Sequence, residues 1–202
     1  MDGVWICGES GNGYLFAPTC KNHYICCTAK HEQYLLDIEI DRLTNSIENT
    51  ISGDSFATEV ALLTNEDLKK ISKSQGWKFN WRAEMKETDR SVYKLTISGN
   101  QHIIQGMVSI SDYGDHFYLH LVESAPFNVG KHKLYVGVPG NLFAFACKCS
   151  WDKGYEGFVA FQSKTKLIEH YEATLGAIHV GGHKMIIFPE YALKLIQQYF
   201  QI

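Results

Sequence analysis

The sequence predicts an α/β (α+β) domain built on a mixed, mainly antiparallel sheet flanked by helices, preceded by an N-terminal extension. Three observations carry this. Three consecutive segments in the middle of the chain alternate apolar and polar residues; the later part switches to helix and strand in turn; and 45% hydrophobic residues in 202 supply enough apolar surface for a core.

Residues 1–52 read as the extension and 53–202 as the main domain. The extension holds four of the six cysteines and a turn-rich stretch, Gly8-Glu9-Ser10-Gly11-Asn12-Gly13, that joins short strands. From Glu32 to Thr50 the apolar residues Leu35, Ile38, Leu43 and Ile47 recur at roughly helical spacing, so a packing helix is expected, ended by Ser52-Gly53-Asp54-Ser55. Phe56 to Leu63 is a short apolar segment, and Thr64-Asn65-Glu66-Asp67 caps a brief helix that ends near Gly76.

The alternating segments are Ser91–Ile97, Ile103–Ile110 and Phe117–Glu123. Their links, Ser98-Gly99-Asn100 and Asp112-Tyr113-Gly114-Asp115, are hairpin-like, so the three form an antiparallel meander. A helix from Asn141 to Asp152, a strand Gly157–Phe161 and a helix from Lys164 to Leu175 follow, the last with Ser163 as N-cap and Gly176 as its stop. Met185–Phe188 makes a final strand, and Pro189 opens a helix with Ala192, Leu195, Ile196 and Tyr199 on one face.

A net charge of −3 gives no field to draw phosphate backbones or anionic lipid, so neither nucleic acid nor membrane is an expected partner. The N-terminus lacks a signal-peptide pattern and no run of about 18 apolar residues occurs, which predicts a cytoplasmic protein with reduced thiols. Homodimer formation is left open.

The segment Tyr135-Val136-Gly137-Val138-Pro139-Gly140-Asn141 joins the meander to an apolar helix. Its glycines allow close approach, and the unpaired N–H groups at a helix N-terminus suit a pyrophosphate; a tight turn with no ligand is the plainer alternative. It matches neither the Walker nor the dinucleotide pattern, which disfavours ATP and NAD.

This loop, the order of elements, and Ser163 to Ala177 with Tyr171 followed by Leu175-Gly176-Ala177 together resemble the GNAT superfamily of N-acetyltransferases, over roughly Phe56 to Phe188. The resemblance implies acetyl-CoA as acyl donor and an amine as acceptor. It implies that Val136, Gly137, Val138, Gly140 and Asn141 give backbone amides to the pyrophosphate, and that the strand ending near Glu123 pairs with the pantetheine arm. Lys164 stands where the family has a helix-opening asparagine and joins the cofactor-binding set. Tyr135 replaces the family's usual loop-opening glutamine or arginine, and Pro139 removes one donor.

Amine acetylation needs a neutral amine and an acid for the departing thiolate. The resemblance makes Tyr171 the acid; core packing is its other role. Glu123, on strand alternation, shares a face with Phe117, Leu119 and Leu121, where burial raises a carboxyl pKa and suits a general base; a strand-end carboxylate turned into water by a bulge is the alternative. His120, on the opposite face, and His116 are reserves for proton transfer. No metal site is expected, although Cys7, Cys20, His23, Cys26, Cys27 and His31 include zinc-like gaps. Cys147 and Cys149 read as small core residues, and Trp77, Phe79 and Trp81 as core or substrate entrance. The competing readings are a catalytically inactive GNAT-fold module that binds acyl-CoA or a protein partner, and a zinc-stabilised interaction protein.

Overall fold

Valine, isoleucine and aromatic residues on alternate positions favour a pleated, half-buried surface, and the meander forms where they do. The computed structural model describes residues 34–44 and 46–200; the cysteine and histidine cluster of the extension lies outside them. The strands and helices in chain order are β1 (Ile47–Asn49), β2 (Ser55–Phe56), β3 (Thr58–Leu62), α1 (Trp81–Glu84), β4 (Ser91–Ile97), β5 (Asn100–Asp112), β6 (Phe117–Ser124), β7 (Tyr135–Val136), α2 (Val138–Asp152), β8 (Val159–Gln162), α3 (Ile168–Leu175), β9 (Ile178–Gly181), β10 (Lys184–Ile187) and α4 (Pro189–Tyr199).

The main sheet has seven strands in the order β3-β4-β5-β6-β8-β10-β9, all antiparallel except the β6–β8 pair. A small sheet of order β2-β1-β7 ties Ile47–Asn49 to Tyr135–Val136. One face of the main sheet packs on Leu142, Phe143, Tyr171, Leu195 and Ile196 from α2, α3 and α4. On the other face Trp77, Trp81, Met107 and Leu121 make a second cluster. The fold is the mixed, mainly antiparallel sheet flanked by helices that the sequence predicts.

Gly106 of β5 lets α2 come close. A Cβ there would meet Val138 Cγ1 at 2.8 Å, and Leu142 Cδ1 and the Glu123 carbonyl at 3.0 Å. Gly106→Val is therefore expected to destabilise by about 1–3 kcal/mol through overpacking, read as a lower denaturant midpoint with an unchanged slope. An unchanged midpoint would mean that α2 is not tightly seated.

Four expectations are corrected. The helix between Glu32 and Thr50 is absent from the described part of that span. From Tyr34 to Thr44 the backbone forms no helix and makes one bridge, at Leu36, and Leu36, Ile38 and Ile40 alternate with Asp37, Glu39 and Asp41, a period of two. Leu36, Ile40 and Ile47 enter the core.

The stretch after Thr64 is not one helix but two 3-10 turns, Asp67–Lys70 and Lys73–Gln75, closed by Gly76 in the left-handed region (φ 92°). Ser163 caps no helix: it pairs in a parallel bridge with Leu36, and a 3-10 turn, Thr165–Leu167, leads into α3. Gly176 ends α3 as expected, with φ 63°.

The fourth correction concerns faces. The register of β5 with β6 slips between Ser109↔Leu121 and Ile110↔Leu119, so His120 is an extra residue in a β-bulge. Phe117, Leu119 and Val122 consequently face the helical core, whereas Leu121 faces the Trp81 cluster. Glu123 points to Trp81 and not to the side of Phe117 and Leu119, and His120 shares its face, with Nε2 2.8 Å from Ser111 Oγ.

Candidate functional site

The bulge falls where the pairing of β6 with β8 ends. Their parallel pairing covers Phe117↔Val159 to Leu119↔Phe161 and then stops, although β6 continues to Ser124. Before the bulge, the Phe117 N–H donates toward the β8 side, to the Phe158 carbonyl; after it, the Ala125 N–H donates to the Gln105 carbonyl of β5. Alternation then turns the backbone groups of Val122 and Ser124 toward the opening.

There, between the end of β6 and residues 34–41, lies a groove of about 980 Å³ whose walls include Tyr34, Asp37, Ile38, Phe79, Val122, Glu123, Ser124 and Lys164. Ser124 Oγ is buried there and has no hydrogen-bond partner among the described residues, an unsatisfied group of the kind a ligand can complete.

Glu123 is 6% exposed and firmly held. Its Oε1 accepts from the Lys78 N–H and its Oε2 from Trp81 Nε1–H, each at 2.6 Å. Burial pushes its pKa up, against the opposing pull of those donors. Trp81 reaches it from a helix that starts at Asn80, whose side chain accepts from the Ala83 N–H. This holder of Glu123 was not recognised in the sequence, where Trp81 reads as core or substrate entrance.

The residues of the glycine loop occupy the N-terminus of α2. Gly137 takes φ 88°, and a Cβ there would collide with Thr44. Its N–H donates to Asp41 Oδ1 at 3.0 Å. Val136 pairs with Glu48, and Val138 is buried at the first helical position. Asn141 uses its N–H on the Gly137 carbonyl and its Nδ2 on Thr58 Oγ1 at 2.8 Å. Gly140 backs onto Leu43 and the Tyr199 hydroxyl, so a side chain there meets α4. Of the five residues, Val136, through its pairing with β1, Gly137 and Asn141 thus have their amides engaged within the chain.

Tyr171 is fully buried, edge-on to Phe161 at 5.3 Å, and its hydroxyl donates to the Ile38 carbonyl at 2.6 Å. Burial raises its pKa, which keeps the phenol protonated. Lys164 Nζ lies 2.5 Å from Asp37 Oδ2 and Lys166 Nζ 2.8 Å from Asp37 Oδ1, and these bonds hold the Asp37 carboxyl below its usual range. The structure therefore brings Glu123 and Lys164 to the groove, and Tyr171 behind the segment that carries Ile38.

His116 pairs with the exposed Asp115. Cys147 is buried and Cys149 partly so, with thiol pKa values raised by burial, that of Cys149 to about 12, as inert packing residues require. Among the described residues no group of three metal-ligating side chains comes together, and no helix is long and apolar enough to cross a membrane.

No family model and no curated protein matches the chain. Solved structures of N-acetyltransferases do match it. A spermidine N-acetyltransferase from Vibrio cholerae, in complex with CoA and spermine, is 14% identical over 67% of this chain and 98% of its own, with a TM-score of 0.44. The ribosomal-protein-S18-alanine N-acetyltransferase from Escherichia coli is 13% identical over 64% of this chain and 90% of its own, with a TM-score of 0.42.

Proposed function

We propose that this chain is a GNAT-type acyltransferase that moves an acetyl group from acetyl-CoA to a primary amine of a small-molecule or protein acceptor. The observation that carries this reading is the parting of β6 from β8. It leaves the Val122 and Ser124 backbone unpaired with β8, along a groove that Glu123 and Lys164 also line. An extended amide-bearing arm can pair with such an edge as an added strand would. The orphaned Ser124 Oγ adds a polar contact.

Acetyl-CoA supplies the acyl group already activated as a thioester. The residues of this chain then have three tasks. Glu123, its pKa raised by burial, takes the proton that the amine loses on forming the new C–N bond. Tyr171 gives its hydroxyl proton to the sulfur as the C–S bond breaks. Val138 and Gly140, at the start of α2, contribute N–H groups and the positive end of the helix to the pyrophosphate side, with Lys164 as a cation at the groove wall.

Incubation with acetyl-CoA and a panel of primary amines is expected to release free thiol only when the right amine is present, with acetylated amine seen by mass spectrometry. If acetyl-CoA binds but stays intact with every amine, the second reading holds, a non-catalytic module that binds acyl-CoA or a protein partner. One observation favours that reading: the Tyr171 hydroxyl is already engaged by Ile38.

A further inference from the structure

The stretch Asp37 to Asp41 reaches three groups assigned above to the acyl donor. Asp41 accepts from the Gly137 N–H at the α2 N-terminus, where a phosphate oxygen would sit. The Ile38 carbonyl takes the Tyr171 hydroxyl. Asp37 takes Lys164 and Lys166. The carboxylates stand at the two ends of the stretch, and the carbonyl between them sits on the phenol proton.

The same stretch begins where β6 leaves off. Leu36 takes the place beside β8 that β6 vacates: its N–H donates to the Gln162 carbonyl at 2.8 Å, and the Lys164 N–H donates to the Leu36 carbonyl at 3.0 Å. Farther along, Leu43 and Thr44 lie against Gly140 and Gly137.

We propose that residues 37–44 form a displaceable strap that imitates the acyl donor and must lift away before the donor can reach Gly137 and Tyr171. The proposal rests on the acyl-CoA reading above.

The bonding of the strap suits release. It lies in neither sheet. Its backbone contacts are made largely to side chains: the Ile40 N–H donates to His170 Nε2 at 2.7 Å, the Thr44 N–H to the Tyr199 hydroxyl at 3.1 Å, and the Ile38 carbonyl accepts from Tyr171. Both flanks are fixed, Leu36 by its bridge to Ser163 and Ile47–Asn49 by β2 and β7. The segment between them can therefore swing out as a loop with the sheets intact. Ile40 and Thr44 are its buried side chains, Ile38 and Leu43 pack on the core partly buried, and the acidic residues return to water when it leaves. Lys133, whose Nζ is 3.1 Å from Asp41 Oδ2, is freed in the same step.

The test uses the full chain. Acetyl-CoA affinity is measured by calorimetry for the wild type, Asp41→Asn and Asp37→Asn, and amide hydrogen exchange is followed in residues 34–44 with and without acetyl-CoA. Removing one carboxylate takes a charge-assisted bond from the strap and a negative charge from the donor's path. Affinity is expected to rise about tenfold in either variant, and exchange in 34–44 to increase when the donor binds. Asp37 is partly exposed, so its variant gives the answer even if Asp41→Asn folds poorly. Binding that is unchanged or weaker in the folded variants, with 34–44 equally or better protected, would overturn the strap and leave the acyl-CoA reading standing. Absence of acetyl-CoA binding in the wild type and both variants would overturn that reading, and the strap with it.

Discussion

Tyr171→Phe is expected to lower turnover by about 10²-fold or more, with acetyl-CoA affinity retained or slightly improved. The ring keeps its packing on Phe143 and Phe161 and loses one oxygen. Among the described residues that oxygen bonds the Ile38 carbonyl, so the cost in stability is about 1 kcal/mol, as for a typical internal hydrogen bond. The affinity gain follows because the strap loses a tether. Single-turnover rates and binding isotherms on the same preparation separate the two effects. Undiminished turnover would return Tyr171 to a packing role.

Glu123→Gln is expected to cost about 10²–10⁴-fold in turnover and to remove the acidic limb of the pH profile. In the wild type, burial raises the pKa of Glu123 above the ordinary carboxyl range, so activity should climb with pH through a value higher than that of a free glutamate. The stability effect has the opposite sign. A carboxyl whose folded pKa exceeds its unfolded one binds its proton more tightly in the native state, so stability is lost as pH rises from the unfolded value through the folded one.

In the variant this pH dependence of stability disappears. The amide, however, presents an NH₂ to either the Lys78 N–H or the Trp81 indole N–H, and the lost bond costs about 1–3 kcal/mol. Profiles of kcat/KM and of the denaturation midpoint against pH check both signs. A limb that persists in Glu123→Gln would assign the base to another group.

Much of the fold was legible because single elements carried their own period. Tyr93, Leu95 and Ile97 alternate without interruption, and β4 spans the same residues in the structure as in the sequence reading. Leu195, Ile196 and Tyr199 behind Pro189 mark α4 equally well. The errors arose where a period was interrupted or shared. Leu36 to Asp41 alternates strictly, yet it sits in a longer window whose Leu35, Ile38, Leu43 and Ile47 mimic a helix. The bulge at His120 adds one residue to β6 and reverses every later face, and nothing in Tyr118-Leu119-His120-Leu121 announces it.

At the site, the positions of Gly137 and Glu123 followed from local rules, a glycine before an apolar helix and a carboxyl at a strand end. Their partners did not. Asp41 lies 96 positions from Gly137, and Trp81 lies 42 positions from Glu123, separations at which composition and periodicity are silent. The segment proposed as a strap follows the same rule: Asp37 lies 127 positions from Lys164, and Asp41 96 from Gly137.

On this account the groove between the end of β6 and residues 34–41 receives an acyl-CoA. The most direct test is a calorimetric titration of the full chain with acetyl-CoA, with ADP as the control for phosphate-only binding and Asp41→Asn run alongside the wild type. Saturable one-to-one binding, tighter for acetyl-CoA than for ADP by at least about tenfold, is the predicted result. No saturable heat from acetyl-CoA with either protein, or equal affinity for ADP, would contradict it.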